Sequence, residues 1–288
     1  GAGDDPAMKE IVIIPAWRRP DFLKAALTRL AVADDGRPEY WICLDRGHLA
    51  TLLPVVKWFQ KRLGHRARIG QRMHNFKGNS YNVLMSYRDA LAEGADLVHL
   101  VEEDILVGRD YFDFHRRAHE LAPDTFSVSA CRNQQFVMGH EPPDDPAAVW
   151  QHAAYQSLGV SFKAERLKAI LPHLGRGYFA TPVAYCRRHF PTSAINPNNA
   201  EQDGLLHRLS ENAGLSSTYA AVPRAYHAGF VGYHRKGTLP PGGVDARAGR
   251  ILAMSAQELN ERAGSFPDHA TIPLDGHREP VTRVITWP

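Results

Sequence analysis

The chain has 288 residues, 44% of them hydrophobic and 23% charged, and its 34 Lys and Arg against 31 Asp and Glu leave a formal charge of +3. That composition supports a substantial core in one large domain or two tightly joined halves, and it excludes a disordered chain. The small net charge does not demand a nucleic-acid partner, and three widely separated cysteines (Cys43, Cys131, Cys186) argue against both a disulfide framework and a zinc site.

Gly1 to Ala7, ahead of Met8, reads as an expression-vector remnant. Glu10 to Ala16, with its run Ile-Val-Ile-Ile-Pro-Ala, reads as a strand buried on both faces of a parallel sheet and stopped by Pro15. Arg18, Arg19 and Pro20 lead to Asp21, the expected cap of a helix over Phe22 to Ala31, where Phe22, Ala25, Ala26, Leu27 and Leu30 recur at helical spacing. A second strand, Tyr40 to Leu44, ends at the polar turn Asp45-Arg46-Gly47-His48, and a helix around Thr51 to Leu63 follows. The basic run Lys61 to His74 reads as a solvated face. A helix over Ser80 to Glu93 precedes the strand Leu97 to Val101, which completes a β-α-β-α-α-β order and implies a doubly wound parallel sheet.

Three carboxylates, Glu102, Glu103 and Asp104, follow that strand at once. Adjacent acids repel and resist burial, so they need a divalent cation, a set of hydroxyls or open water in front of them. In an open α/β sheet this position, beyond the carboxyl end of a strand, is where ligands collect. The alternative is a solvated acidic turn. Gly108 then breaks the pattern, and Asp110 is the expected cap of a helix carrying Tyr111, Phe112, Phe114 and His115. The first strand is not followed by Gly-x-Gly-x-x-Gly, and the chain has no Walker Gly-Lys-Ser/Thr, so neither a nicotinamide dinucleotide nor a P-loop phosphate is the expected ligand.

In the second half, Thr125 to Ala130 reads as a strand, Arg132 to Ala148 as a polar loop, and Lys163 to Leu171 as an amphipathic helix. Ala194 to Ala200 is a turn-rich segment that delivers Glu201-Gln202-Asp203 to the start of a helix over Gly204 to Asn212. Gly and Pro density from Gly232 to Gly249 suggests a lid. Ser255 to Arg262 reads as a short helix and Val281 to Trp287 as a terminal strand.

Ile-Val-Ile-Ile-Pro-Ala-Trp-Arg-Arg-Pro, Trp-Ile-Cys-Leu-Asp45-Arg-Gly-His, Val-Glu-Glu-Asp104, Gln156-Ser-Leu-Gly-Val-Ser-Phe with Glu165-Arg-Leu, and Ala221 to Gly237 occur in the order seen in glycosyltransferases of the GT-A fold. The chain resembles the N-acetylglucosaminyltransferase I type among them, with Glu-Glu-Asp standing where Asp-x-Asp is commoner. The resemblance implies a single domain over residues 8–288, a Rossmann-like mostly parallel sheet with helices on both faces. Its nucleotide-sugar half is 8–120, and its acceptor half is 121–288 with a mobile loop at 232–249.

The roles implied are these. Pro15, Ala16 and Arg18 touch the nucleotide diphosphate, and Asp45 reads the uracil edge of a UDP-sugar. Asp104 binds Mn2+ or Mg2+ with His227 or His234, Glu103 faces ribose hydroxyls, and Glu102 faces hydroxyls of the sugar. Arg235 and Lys236 clamp phosphate, and Asp203 is the general base of an inverting transfer, with its place at a helix start as the structural alternative. The acceptor is open among glycan, protein, lipid head group, small molecule and a hydroxymethylated base in phage DNA. A sugar nucleotidyltransferase and a non-catalytic glycan- or nucleotide-binding module are the rival readings, although the first loop lacks the glycines that the former needs. No apolar stretch of membrane length and no signal peptide is visible, so a soluble cytoplasmic protein is expected.

Overall fold

The computed structural model describes residues 8–46, 49–131, 148–221, 223–227 and 283–286. The front half runs β1 (Glu10–Ala16), α1 (Pro20–Ala33), β2 (Glu39–Asp45), α2 (Leu49–Leu63), β3 (Ala67–Arg72), α3 (Ser80–Ala92), β4 (Leu97–Leu100), β5 (Ile105–Val107) and α4 (Tyr111–Leu121). The rest runs β6 (Val128–Ser129), β7 (Ala148–His152), β8 (Val160–Lys163), α5 (Ala164–Leu167), a 3-10 helix (Lys168–His173), α6 (Arg176–Ala180), α7 (Pro182–His189), α8 (Gln202–Asn212), β9 (Ser217–Ala220), β10 (Ala225–His227) and β11 (Arg283–Thr286).

Nine strands form one sheet in the order β11-β7-β9-β6-β8-β4-β1-β2-β3, while β5 and β10 make a separate ribbon. Strand β1 is parallel to both β2 and β4, β2 is parallel to β3, and β4 and β8 are antiparallel. This is the expected Rossmann-like, mostly parallel sheet with helices on both faces.

The apolar run of β1 has a direct cause in this layering. Val12 and Ile14 point into a core with Leu27, Leu30, Leu52, Val56 and Phe112, whereas Ile11 and Ile13 point into a second core with Val83, Leu84, Tyr87, Leu205 and Leu206. Both faces of a central strand must therefore be apolar, and each such side chain contributes about 1.5–3 kcal/mol of burial. Under the sheet, Arg116 of α4 donates from Nε and Nη2 to Glu10 at 2.7 and 2.6 Å and from Nη1 to Asp35 at 2.6 Å. Beside it three imidazoles are buried together: His99 from β4, and His115 and His119 one turn apart on α4. The Oγ of Ser161 lies 2.6 Å from His115 Nδ1 and 2.9 Å from His119 Nε2. Burial pushes all three pKa values down, that of His119 to about 3.

Several expectations need correction. Asp21 is not the cap of α1: the helix begins at Pro20, whose fixed φ suits the first position, and Arg19 holds the cap position. The basic run is not only a solvated face, because Ala67–Arg72 forms an edge strand paired with β2. Asp110 stands at the cap position of α4 without making a side-chain cap, and its Oδ2 is 3.0 Å from Arg224 Nε. Lys163–Leu171 divides into the end of β8, the single turn α5 and the 3-10 helix. The terminal strand is present as β11, parallel to β7. The loop at 132–147, the segment 232–249 and the helix at 255–262 lie outside the described residues. Among the described residues no helix is long and apolar enough to cross a membrane.

Candidate active site

The chain leaves β1 toward β2 and β3 on one side, and α3 then carries it back to β4 on the other side of β1. Loops that depart in opposite directions leave a crevice at the carboxyl ends of β1 and β4, the switch point of the sheet. The acidic turn and the segment Trp17–Arg19 face each other across it. Arg19 donates from Nε to Glu103 Oε1 at 2.6 Å and from Nη2 to Asp104 Oδ2 at 2.8 Å, and the Trp17 backbone N–H donates to Glu103 Oε2 at 2.9 Å. Both oxygens of Glu103 are thus engaged by the β1–α1 loop, and its carboxylate fixes that loop to the acidic turn. The exposed Arg18 lies with its guanidinium 4.2 Å over the Trp17 ring, so Arg19, not Arg18, meets the acids. Pro15 and Ala16 are buried at the end of β1.

The β5–β10 ribbon explains how a residue 123 positions downstream arrives at Asp104. His227 pairs in register with Ile105, the neighbour of Asp104, and its Nε2 lies 3.7 Å from Asp104 Oδ2. Burial opposes ionisation of Asp104, but His227 and Arg19 outweigh it and hold the carboxyl below its ordinary value. Glu102 behaves in the opposite way. Burial, reinforced by the negative charges of Asp104 and Asp203, pushes its carboxyl up to about 8, and its Oε1 accepts from Asn79 Nδ2 at 3.1 Å.

The charge of Asp203 reaches Glu102 because α8 begins at the same crevice. Gln202 N donates to Ser80 Oγ at 2.9 Å, Tyr178 donates to the Ala200 carbonyl at 2.8 Å, and the Glu201 carboxylate lies over Gly78. Arg208 secures the approach to the helix, donating to the carbonyls of Asn199, Gly204 (3.0 Å) and Asn196 (3.2 Å). Asp203 sits in the first turn, and its Oδ1 accepts from Gly204 N at 2.9 Å.

Gly204 is required by this packing. A Cβ there would collide with the Asn199 backbone carbonyl and stand 2.7 Å from Asn199 Oδ1. Gly204→Ala is therefore expected to cost about 1–3 kcal/mol of stability by overpacking and to displace Asp203. Chemical denaturation checks the first effect, and a shift of the Asp203 amide resonance checks the second.

At the end of β2, Asp45 is 3% exposed, and its Oδ1 is 2.6 Å from His74 Nε2. Arg46 adopts a left-handed backbone conformation with φ 45° and donates to the carbonyls of Phe76 at 3.1 Å and Gly78 at 3.2 Å. A non-glycine residue held there is a strained position that its hydrogen bonds must support. Sequence reasoning overlooked Arg19, Arg46, His74 and Asn79 as site residues. Only Arg19, next to the Pro20 that opens α1, carried a local signal. His234, Arg235 and Lys236 lie outside the described residues.

Whether these residues suit a divalent cation can be judged from the donor set. Among the described residues no group of three or more His, Cys, Asp and Glu is disposed to hold a metal. Asp104 and His227 offer one hard oxygen and one imidazole beside a surplus of buried negative charge. This fits an ion shared with a diphosphate, as Mg2+ and Mn2+ sites commonly are, and not an all-protein cage.

No family model and no curated protein matches the sequence. Among solved structures, the chain is similar to the mannosyltransferase PcManGT from Pyrobaculum calidifontis in complex with GDP-Man and Mn2+, at 14% identity and TM-score 0.48 over 91% of this chain and 75% of that one. It is also similar to S. aureus TarS 1-349 in complex with UDP, at 15% identity and TM-score 0.48 over 90% and 72%. A third is the glycosyltransferase GlyE of Streptococcus pneumoniae TIGR4, at 10% identity and TM-score 0.46 over 92% and 66%.

Proposed function

We propose that the chain is a glycosyltransferase of the GT-A type that moves a hexosyl or N-acetylhexosaminyl group from a nucleotide sugar, most simply a UDP-sugar, to an acceptor hydroxyl with inversion. The observation that carries this reading is the convergence of Arg19, Glu102, Asp104, Asp203 and His227, drawn from four separate parts of the chain, on the switch-point crevice.

In the reaction the bond from the anomeric carbon to the diphosphate oxygen breaks as a bond to the acceptor oxygen forms on the opposite face. Asp203 takes the acceptor proton. The nucleotide lies along Pro15, Ala16 and Arg18 with its base toward Asp45, and the guanidinium of Arg19 faces the departing diphosphate. Glu102, whose surroundings favour the protonated form, donates to a hydroxyl of the transferred sugar. Glu103 holds the β1–α1 loop in place, and Arg235 and Lys236 clamp phosphate. Asp104 and His227 would hold Mn2+ or Mg2+, which when bound neutralises charge developing on the leaving group.

A thermal-shift series against UDP- and GDP-sugars, with and without Mn2+, tests this. Because the protein supplies two ligands and the diphosphate the others, metal and nucleotide sugar together are expected to stabilise well beyond either alone, by about 2.7 kcal/mol at one hundred times Kd. Equal stabilisation with and without metal would remove the metal from the proposal. The absence of any response to nucleotide sugars would remove the donor.

A further inference from the structure

From Arg166 to Ala200 the chain contains no Asp or Glu, although Arg166, Lys168, Arg176, Arg187 and Arg188 are cationic. Several arginines elsewhere are matched by carboxylates, as Arg66 is by Asp34, Arg72 by Asp89, and Arg116 by Glu10 and Asp35. Within the segment Arg166 has Asp124 and Glu165 at 3.7 and 3.9 Å. Lys168, Arg176, Arg187 and Arg188 are exposed and form no ion pair with any described residue.

A solvated basic face is the ordinary explanation, and two observations argue for more. The first is a ring pair among these cations. Tyr185 and His189, one turn apart on α7, stack with centroids 4.0 Å apart at 24°, and the Tyr185 hydroxyl lies 3.0 Å from His173 Nδ1. His189 is exposed beside Arg188, and Gly177, next to Arg176, approaches the Tyr185 ring. The second is continuity with the crevice. Arg187 Nη2 donates to Asn198 Oδ1 at 3.1 Å, in the turn that leads directly to Asp203. On the other side of the same unit, Phe179 of α6 packs on Phe76 and Tyr81, which flank the loop that carries Asn79.

Spaced cations without carboxylate partners suit successive phosphates, and a flat ring pair suits a base stacked on its face. An acidic protein has no need of the stacked rings, and a neutral glycan has no need of four unmatched cations. Resting on the reading of Asp203 as the acceptor base, we infer that the acceptor hydroxyl is carried on a single-stranded nucleic acid. Its phosphates lie along Lys168, Arg176, Arg187 and Arg188, and one base lies on the Tyr185–His189 pair. The small net charge of the whole chain is compatible with this, because residues 166–200 carry five Lys and Arg and no Asp or Glu.

The test is fluorescence anisotropy of a fluorescein-labelled 20-nucleotide single-stranded DNA against salt. Four phosphate contacts predict a slope of log affinity on log salt of about −3, a loss of about 50-fold between 50 and 200 mM. The triple variant Arg176→Ala, Arg187→Ala, Arg188→Ala is expected to lose about 2 of that slope, and the corresponding triple Lys variant is expected to keep it, which separates charge from folding. A wild-type slope shallower than about −1, a slope unchanged in the triple Ala variant, or competition by polyglutamate equal to that by unlabelled strand overturns the inference. Stabilisation of the wild-type protein by nucleotide sugar with Mn2+ reads the donor site separately. If it is retained while the strand fails to bind, only the acceptor inference falls.

Discussion

Replacing Asp203 by Asn is expected to lower kcat for transfer by about 10^2- to 10^4-fold while leaving donor affinity and the unfolding midpoint near the wild-type values. The substitution keeps shape and keeps an oxygen that accepts from Gly204 N, so the first turn of α8 is preserved. It removes the one property the mechanism needs there, the ability to take a proton. It also removes a negative charge that pushes the Glu102 carboxyl upward, so the resting protein gains no new unfavourable contact. Nucleotide release in the presence of acceptor, measured beside donor binding by calorimetry, decides the matter. Full turnover in this variant would assign the base elsewhere and reduce Asp203 to a residue of the helix start.

On acidification from pH 7 to pH 5 three buried imidazoles are expected to withdraw about 6 kcal/mol of stability, comparable with the whole stability of an ordinary domain, while the raised Glu102 carboxyl gives back part of it. The cause is the buried trio His99, His115 and His119. Burial depresses each folded-state pKa; Arg116 and His119 add to this at His99, His99, His119 and Arg116 at His115, and Lys163 at His119. The native protein therefore binds no proton at these sites, whereas the unfolded chain takes one at each below its ordinary value of about 6.5. A depressed folded value contributes stability that is complete above the unfolded pKa and is lost as pH falls. At pH 5 the difference is about 2 kcal/mol per imidazole. Urea unfolding at pH 7.5, 6 and 5 should show a net uptake of about two protons at the lowest pH, about three taken by the imidazoles and about one released by Glu102, and His119→Gln should remove about one of the three. Stability that stays flat across that range would show that the trio is accommodated in some other way.

The sequence made the centre of the sheet plain, because strands covered on both faces must be continuous apolar runs: β1, β2 and β4 were legible, as was α3 between them. The edge strand β3 was not. Arg68, Gly70 and Arg72 alternate along it, and the pattern of a blunted sheet edge is also that of a basic surface. The ribbon of β5 and β10 was illegible for another reason: each strand has three residues, and what defines them is a pairing across more than one hundred positions. That pairing places His227 beside Asp104, so the likeness to a known family nominated the pair while only the fold shows them meeting. Asp45 and His74 tell the same story at shorter range, joined across the β2–β3 pairing. Arg18 and Arg19 were indistinguishable as letters, and the start of α1 at Pro20 turns the second of them toward the acids.

The beginning of α8 rests on Ser80 and Gly78, at the threshold of α3, and on Tyr178 of α6, whose hydroxyl holds the Ala200 carbonyl. The stretch between Arg166 and Ala200 is part of the same body: Leu167, Ile170, Phe179, Cys186 and Phe190 share the core of Ile11, Ile13, Val83 and Leu206. Such an arrangement resists exchange: a chimera that replaced the stretch would open that core and unseat the start of α8, so variation in what this face recognises falls to its exposed side chains.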